Sequence, residues 1–513
     1  MQTRPNSYTR WKAVHCWPAV KALGLIFGLH VISIAEITGP LSVSSNPNYF
    51  KDANGATIAL NGSQTWNSFQ DWGTDGAIET LNFNTFVRFL SSHGHNFTLL
   101  WITEMPKFCN LPVTSGSPPD FVVSPLPWQR TGPGNASDGG RKFDLTKFDR
   151  SFFDRLRTRV QVLRNVGIYA GVYLFTGEWL NVFRCSSDGY PLTGVNNING
   201  VDDGYTGGKR GIGALTMKAP NAITRFQDAY VEKVVDTLND LPNVLWIVSE
   251  EAPSNSQWWN AHQMSHLRAY EAAKPHRHPI GYAALIGAPD SVLYNSDADW
   301  VAPQVRVSPV TSCGSGKPAC KVNVNDSDHS YWEMWHHTPQ VNRSYAWQNF
   351  LSGNQVLFMD PYLVYYPREN RNLCVSPTHG ICRAPDSRWD NFRDSLGYIL
   401  RYSQKLNLAA VTPRMPLCST GFCLANTPSA GAEYLVYAPL GGSFTVDLSA
   451  MPASRMLVVE WFNPATGAVS RGSPIHSGSP AHRFTPPFTG DAVLYLVDAA
   501  GHAASANRVE HQR

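Results

Sequence analysis

Short apolar runs alternate with helix-like stretches along most of the chain, from about residue 57 onward. Apolar residues recur with the 3.6-residue period of an amphipathic helix between Phe226 and Leu238 and between Phe152 and Leu163. This alternation predicts parallel β/α units and not an all-β fold. The candidate strands are residues 57–61, 96–102, 167–175, 243–249, 279–284, 300–303, 321–325 and 355–359.

Eight strand and helix units predict a (β/α)₈ TIM barrel over residues 40–410. A doubly wound open sheet is the alternative, because closure of a sheet leaves no mark on the sequence. Two polar stretches, 107–141 and 185–218, are rich in Gly, Pro, Ser and Asn and are interpreted as loops. Both follow strands at their C-terminal ends, where barrels carry active sites, so we expect them to wall a cleft.

After Leu406 the pattern changes to short β-like runs separated by Gly, Pro and Asn turns. The runs at 434–437, 444–448, 457–462 and 492–497 predict a smaller antiparallel β-sandwich domain over residues 411–500. Residues 501–513 are expected to form a disordered tail.

The first 35 residues have the pattern of a signal peptide. Basic residues precede an apolar run that ends in Ser33-Ile34-Ala35, a small-x-small cleavage site. The run is shorter than the roughly 20 residues that span a bilayer. We therefore expect a secreted or periplasmic protein with no stable membrane span after cleavage, and an uncleaved N-terminal anchor is the alternative.

The sequence has nine cysteines, and cleavage of the signal would remove Cys16 and leave an even number. An even number suits disulfides in an oxidising compartment. Close spacing suggests the pairs Cys313 with Cys320, Cys374 with Cys382, and Cys418 with Cys423, which leaves Cys109 and Cys185. No metal site is predicted, because His262 and His266 are separated by Gln263 where the H-E-x-x-H zinc motif needs Glu.

The composition favours a carbohydrate ligand over a polyanion. A net charge of +3 provides no strong field for nucleic acid or an anionic membrane. Aromatic residues make up 12% of the chain, with 16 Trp, and flat rings are surfaces on which sugars stack, although an aromatic-rich core is the alternative. The motifs of serine hydrolases, P-loop proteins and dinucleotide-binding proteins are absent from the sequence, so no cofactor is predicted.

Hydrolysis of a glycosidic bond usually requires two carboxyl groups on either side of a cleft. The first candidate is the apolar run that begins at Asn243 and stops at Glu250 and Glu251. Neighbouring strand residues point to opposite faces, so we expect at most one of this pair to face the barrel axis. An acidic helix N-terminus is the alternative.

The second candidate is the run from Lys321 that ends in Asp326, Asp328 and His329. Asp326 and Asp328 are two residues apart and would share a strand face. One of them is predicted as the second carboxylate, with the other aspartate or His329 holding it in place. A calcium loop is the alternative, but the Gly and distal Glu of an EF-hand are missing.

Further polar and aromatic residues at strand ends are predicted to contact substrate, with a structural salt bridge or a capped loop as the alternative for each. These residues are Trp66, Asn67, Glu104, Glu178, Trp179, Asp360 and Tyr362.

Four segments resemble bacterial cellulase-like glycoside hydrolases of clan A: 48–55, 95–97, 243–246 and 358–362. Residues 460–467, Glu-Trp-Phe-Asn-Pro-Ala-Thr-Gly, resemble the C-terminal sandwich of such proteins, which carries the label of a collagen-binding domain. The similarity runs from about residue 42 to about residue 497. It implies a (β/α)₈ barrel, glycosidase activity and a poly- or oligosaccharide substrate.

The resemblance assigns the general acid to Glu251, with Glu250 where clan A has the Asn that holds the substrate's 2-hydroxyl. Clan A also has a nucleophilic Glu at the end of strand seven, where this chain offers only Asp326 and Asp328. The Arg that often ends strand two is absent. These departures sustain a second hypothesis, a non-catalytic carbohydrate-binding or cell-surface adhesion protein on a degenerate barrel.

Overall fold

The structure is a computed structural model, and it describes residues 36–74, 77–108, 121–178, 180, 188–204, 211–304, 321–330, 337–363 and 385–499. The predicted signal peptide, the predicted tail, Trp179, the side chain of His329 and every cysteine except Cys418 and Cys423 lie outside these residues. Within them, no helix is both long and apolar enough to cross a membrane.

Eight parallel strands follow one another around a barrel. From the second strand to the eighth, each pairs with the next in chain order, and the eighth also pairs with the first. They are β1 (Gly62–Gln64), β2 (Phe97–Leu100), β3 (Tyr169–Thr176), β4 (Val244–Glu250), β5 (Ile280–Ala283), β6 (Trp300–Ala302), β7 (Val322–Asp326) and β8 (Gln355–Met359). The strands are buried on both faces, as parallel strands covered by helices must be.

The barrel closes between β1 and β2 through side-chain as well as backbone hydrogen bonds. The backbone N–H of Asn96 donates to the carbonyl of Asn61 at 3.1 Å, and the Thr98 hydroxyl donates to the carbonyl of Ser63 at 2.7 Å. The two strands approach so closely at Gly62 that a Cβ there would lie 1.9 Å from the carbonyl oxygen of Phe97. The closed barrel, not the open sheet, is therefore the observed architecture.

The predicted first strand, 57–61, was wrong. Thr57–Ile58 instead pairs antiparallel with Phe50–Lys51, which pairs with Ser42–Val43 in a small separate sheet. The true first strand is Gly62–Gln64, whose polar side chains are fully buried. Gln64 Oε1 accepts a hydrogen bond from the Trp101 indole at 2.6 Å. Because the strand is made of polar residues and glycine, it has no apolar run to reveal it in the sequence.

Helices follow the strands, and all of those described except the short polar helix Ser327–Ser330 bury an apolar face against the outside of the barrel. They are α1 (Phe83–Ser92), α2 (Arg150–Arg164), α3 (Thr224–Leu238), α4 (Gln257–Glu271), α5 (Ser291–Tyr294), α6 (Ser327–Ser330), α7 (Pro339–Leu351) and α8 (Asp390–Lys405). Short 3₁₀ turns lie at Gly194–Asn196, Ile212–Ala214, Ser254–Ser256, Ser387–Trp389 and Met415–Leu417. Helix starts follow capping chemistry, since the Thr338 side chain accepts from the N–H of Val341 and Pro339 opens α7.

The stretch 107–141 was predicted to be loop throughout, but it contains short strands. Lys107–Phe108 and Phe121–Ser124 form a four-stranded antiparallel sheet with Asp71–Thr74 and Ala77–Glu79. Trp128–Gln129 pairs with Asp144–Phe148. These strands are only two to five residues long, and they form by pairing with segments that are distant in the sequence. This explains why the local composition suggested a loop.

The C-terminal region is the antiparallel sandwich that the sequence predicts. Its strands are β9 (Thr412–Pro413), β10 (Cys423–Asn426), β11 (Glu433–Ala438), β12 (Phe444–Val446), β13 (Met456–Phe462), β14 (Val469–His476), β15 (His482–Phe484) and β16 (Ala492–Asp498). Six form one sheet in the order β9-β10-β11-β16-β13-β14, and β12 pairs with β15. Cys418 and Cys423 are buried free thiols, and a hydrogen bond between them lowers the pKa of Cys418 to about 7.

The sandwich packs against helices α7 and α8 of the barrel. Trp347 stacks near Tyr437 at a ring-centroid distance of 6.2 Å, and Tyr402 lies 5.1 Å from Phe462. Both regions contribute to one apolar core that is continuous across the junction. The sandwich thus covers apolar surface of the barrel that water would otherwise contact.

Candidate active site

Glu250, Glu251 and Glu178 bring three carboxyl groups together at the C-terminal ends of β3 and β4. One carboxylate oxygen from each of the three residues lies within 4.8 Å of one from each of the other two. Glu250 is fully buried, whereas Glu178 and Glu251 are half-buried. The strand ends are held in register by the N–H of Gly177, which donates to the carbonyl of Glu250 at 2.8 Å. The cluster lies on the barrel face where active sites are expected.

The prediction that only one of Glu250 and Glu251 faces inward was wrong. Val248 packs in the outer core, and the next residue, Ser249, bonds Asn260 of the outer helix α4 at 2.9 Å. Because the side chains of Val248 and Ser249 both point outward, the alternation of inward and outward side chains along β4 shifts by one residue, and the Glu250 side chain points inward. Glu251 then adopts a φ of 39°, in the left-handed region, so that its side chain joins the same cluster.

Asp326 and Asp328 extend the cluster from β7. Burial raises the pKa of Glu250 well above its usual value, and the nearby charges of Glu251, Asp328 and Asp326 raise it further. Glu250 therefore keeps its proton to a higher pH than an ordinary glutamate does. A carboxyl group with a raised pKa beside other carboxylates is an arrangement suited to general acid catalysis.

The two aspartates do not share a strand face as predicted. Asp326 ends β7 and is buried, whereas Asp328 lies in the short helix α6 and is half-buried. The N–H of Asp328 donates to Asp326 Oδ1 at 3.1 Å, so the carboxylate of Asp326 caps the turn that carries Asp328. The chain leaves the strand after Asp326, and this is why the two-residue period fails there.

Tyr173 is a site residue that the sequence analysis missed. It projects from β3 into the barrel interior, is fully buried, and packs 5.2 Å from the ring of Trp101. Its hydroxyl has no hydrogen-bond partner among the described residues. Burial raises its pKa, and so do Glu250, Asp326, Asp328 and Glu251. Tyr173 thus lies below the carboxyl cluster, and its position in an apolar strand gave no signal beyond ordinary core packing.

Trp66 and Asn67 lie beside this region, at the end of β1. Trp66 is half-buried and packs near Trp72 at 6.0 Å and Trp101 at 6.3 Å, so an aromatic surface adjoins the interior of the barrel. Asn67 is almost fully buried and accepts a hydrogen bond from the Thr65 hydroxyl at 3.2 Å. Its amide therefore supports the turn after β1.

Glu104 was predicted to contact substrate, but it is completely buried. Its Oε2 accepts from the N–H of Thr176 at 3.2 Å, and burial raises its pKa to about 8. Thr176 pairs in register with Glu250, so Glu104 supports the strand ends that carry the cluster. The prediction failed because the carboxyl group points into the protein and not toward solvent.

Asp360 and Tyr362 were also predicted to bind substrate, and the structure assigns both to the core. Arg393 donates to both oxygens of Asp360, at 2.7 and 2.6 Å, and both side chains are fully buried. Tyr362 packs against Phe86 at 4.9 Å and Phe89 at 4.6 Å. The carboxylate is neutralised by a helix that lies 33 residues later, a contact that local sequence cannot show.

The fold is that of glycoside hydrolase barrels with a C-terminal sandwich. A glycoside hydrolase family 5 structure from Bacteroides vulgatus is 14% identical, with a TM-score of 0.57 over 90% of this chain and 94% of that chain. A second glycoside hydrolase structure is 12% identical, with a TM-score of 0.54 over 90% of this chain and 97% of that chain.

Sequence comparison supports the C-terminal region separately. Residues 423–497 match the family model described as "Putative collagen-binding domain of a collagenase". This range contains β10 to β15 and all but the last residue of β16, so it covers most of the sandwich. No curated protein sequence matches the chain significantly.

Proposed function

We propose that the protein is an exported glycoside hydrolase that cleaves O-glycosidic bonds of a poly- or oligosaccharide. The observation that carries the proposal is the meeting of Glu250 and Glu251 from β4 with Asp326 and Asp328 from β7 around one interior region. Opposed carboxyl groups at barrel strand ends supply the acid and the base or nucleophile of glycoside hydrolysis. The fold shared with glycoside hydrolases agrees with this chemistry.

Exposure separates the roles within each pair. We assign Glu251 as the general acid, because it is half-buried and can reach a substrate. The fully buried neighbour Glu250, whose pKa is raised, shares the protons of this pair of carboxyl groups with Glu251. Asp328 is assigned as the second carboxylate for the same reason, and Asp326 positions it through the bond to its backbone N–H. Trp66, Trp179 and His329 are proposed as substrate contacts.

Export and disulfides belong to the same proposal. The N-terminal signal pattern directs the chain to an oxidising compartment, where the adjacent thiols of Cys418 and Cys423 would close to a disulfide. The exported protein should begin after Ala35 and lose two mass units per disulfide. Mass spectrometry of the exported chain before and after reduction measures both.

The activity is tested by reducing-sugar release from a panel of polysaccharides and oligosaccharides. We expect turnover by the wild-type chain and loss of about 100-fold or more in Glu251→Gln and in Asp328→Asn, as for removal of a general acid or its partner. Glu232→Gln, on the outer helix α3, is the matched control and should retain full activity. Binding without turnover by the wild-type chain would instead support the non-catalytic carbohydrate-binding protein.

A further inference from the structure

Glu251 has a backbone conformation that is rare for its residue type. Its φ of 39° lies in the left-handed region, where a Cβ comes too close to the following carbonyl oxygen. Among the described residues other than glycine, only Glu251 and Leu363 have a positive φ. Such conformations persist where the surrounding structure enforces them, and they cluster at active sites. The contacts that enforce the conformation of Glu251 therefore bear on function.

Backbone hydrogen bonds hold the residues on both sides of Glu251. The N–H of Gly177, directly after β3, donates to the carbonyl of Glu250 at 2.8 Å. The N–H of Ile286, beyond the end of β5, donates to the carbonyl of Ala252 at 3.0 Å. The carbonyl groups before and after Glu251 are thus bonded to the segments that follow two neighbouring strands. Residue 251 lies between two fixed points and has little freedom to relax.

Position 177 requires glycine in this arrangement. A Cβ there would lie 2.2 Å from the carbonyl oxygen of Glu250 and 2.4 Å from both the N and the Cα of Ala252. These are backbone atoms, so rotation of a side chain cannot relieve the overlap. By contrast, a Cβ at Gly171, on β3, would lie 2.2 Å from Leu99 Cδ2, the end of a side chain. The missing side chain at Gly177 lets the two backbone segments approach closely enough to form their hydrogen bond.

We propose that Gly177 and Ile286 form a backbone clamp that holds Glu251 in the left-handed conformation and so presents its carboxyl group to the substrate. Gly177 is a positioning residue, because it acts through Glu251 and does not itself touch the substrate. Misplacement of a catalytic group by about 1 Å can lower a rate by about 100-fold, so the clamp should matter for proton transfer. The inference rests on the proposed function in taking Glu251 as the proton donor, and it goes beyond it by naming the residues that position that donor.

The strain at residue 251 can be measured without a substrate. The variants Glu251→Gly and Glu251→Ala both lack the carboxyl group, so they differ in the cost of the left-handed conformation and in the flexibility of the unfolded chain. We expect the urea midpoint of unfolding to be higher in Glu251→Gly than in Glu251→Ala by about 0.3 M. When Gly177→Ala is added to both, the difference should fall to less than about half, because residue 251 can relax. When Gly171→Ala is added instead, the difference should persist.

Proton transfer to the leaving group gives the second readout. The full chain would be offered an oligosaccharide that it hydrolyses and an aryl glycoside of the same sugar, whose phenolate leaves without protonation. In Gly177→Ala, kcat/KM per folded molecule should fall by about tenfold or more for the oligosaccharide and by less than about threefold for the aryl glycoside. Gly171→Ala is the matched control, with a comparable overlap six residues earlier in the chain, and it should leave the ratio of the two values unchanged. A merely structural role would lower both values together.

Ile286→Pro removes the other N–H of the clamp, and it repeats both measurements if Gly177→Ala does not fold. The inference is overturned if Glu251→Gly is no more stable than Glu251→Ala, or if the difference between them is unchanged in the clamp variants. It is also overturned if a clamp variant loses both substrates equally. Any of these results with normal turnover by the wild-type chain would leave the hydrolase proposal standing. Absence of turnover by the wild-type chain would overturn the hydrolase proposal and, with it, the catalytic role of the clamp.

Discussion

Removal of the Asp491 carboxylate should loosen the attachment of the sandwich to the barrel. Arg343 of α7 donates to the two oxygens of Asp491 from Nε at 3.0 Å and from Nη2 at 2.5 Å, and the Tyr437 hydroxyl donates to Oδ2 at 3.0 Å. Both charged side chains are buried. In Asp491→Ala the guanidinium of Arg343 would remain inside without its counter-charge.

The magnitude follows from burial. Breaking a buried ion pair costs about 3–5 kcal/mol, and the lost hydroxyl bond adds about 1 kcal/mol. Arg343 retains a hydrogen bond to Asn391, so we expect the free energy of unfolding to fall by about 3–4 kcal/mol. If the free energy of unfolding falls by about 3 kcal/mol per molar urea, the urea concentration at the midpoint of unfolding should be lower by about 1 M in the variant.

The assay is urea unfolding followed by tryptophan fluorescence, since Trp347 lies at the junction. The apolar double variant Arg343→Met/Asp491→Leu should recover most of the loss, because no buried charge is left unpaired. Asp154→Ala, which removes the exposed pair with Arg150, should cost less than about 0.5 kcal/mol. A loss below about 1 kcal/mol in Asp491→Ala would refute the argument that this pair is a buried attachment point.

Three other changes test the fold and its supports. Gly62→Ala should destabilise the barrel by about 3 kcal/mol or more, measured by urea unfolding, because its Cβ would collide with the Phe97 carbonyl; a neutral effect would contradict the observed closure. Asp360→Asn should lower stability by about 3 kcal/mol with hydrolysis per folded molecule unchanged, since the carboxylate binds Arg393; selective loss of activity would restore its predicted substrate role. The pKa of Glu104 is about 8 in the folded chain and near 4.5 in the unfolded chain, so the folded chain binds one more proton between these two pH values. The free energy of unfolding should therefore fall as pH rises from 4.5 to 8, by at most about 1.4 kcal/mol per pH unit. Glu104→Gln should remove that slope from urea midpoints measured between pH 5 and pH 8, and an unchanged slope would contradict the assignment.

The sequence predicts the barrel well where strands are apolar and poorly where polar groups are buried. The run that ends at Glu250 is unmistakable because both faces of β4 are packed. In contrast, β1 consists of Gly62, Ser63 and Gln64, and residues on β2 and in the loop after it bond the Ser63 carbonyl and the Gln64 side chain. Such partners are chosen by tertiary structure, and no local pattern records them.

The candidate site shows the same limit. Glu250, Glu251, Asp326 and Asp328 were identified because acids at the ends of apolar strands are conspicuous in a sequence. Asp360 also follows an apolar strand, yet its carboxylate forms an ion pair with the buried Arg393. Conversely, Tyr173 looks like core and becomes part of the site only because the strand alternation directs its hydroxyl toward the carboxyl cluster. Whether a polar residue belongs to the candidate site or to the core depends on the residues that surround it in the folded chain, and these are not visible in the local sequence.

The most direct test of the hydrolase proposal compares two leaving groups in Glu251→Gln. The substrate found by the panel would be offered as the natural oligosaccharide and as an aryl glycoside whose phenolate leaves without protonation. If Glu251 is the general acid, kcat/KM for the oligosaccharide should fall by about 100-fold or more, while kcat/KM for the activated glycoside should fall by less than about tenfold. An equal loss for both substrates, or no loss for either, would contradict the assignment of the proton donor on which the account rests.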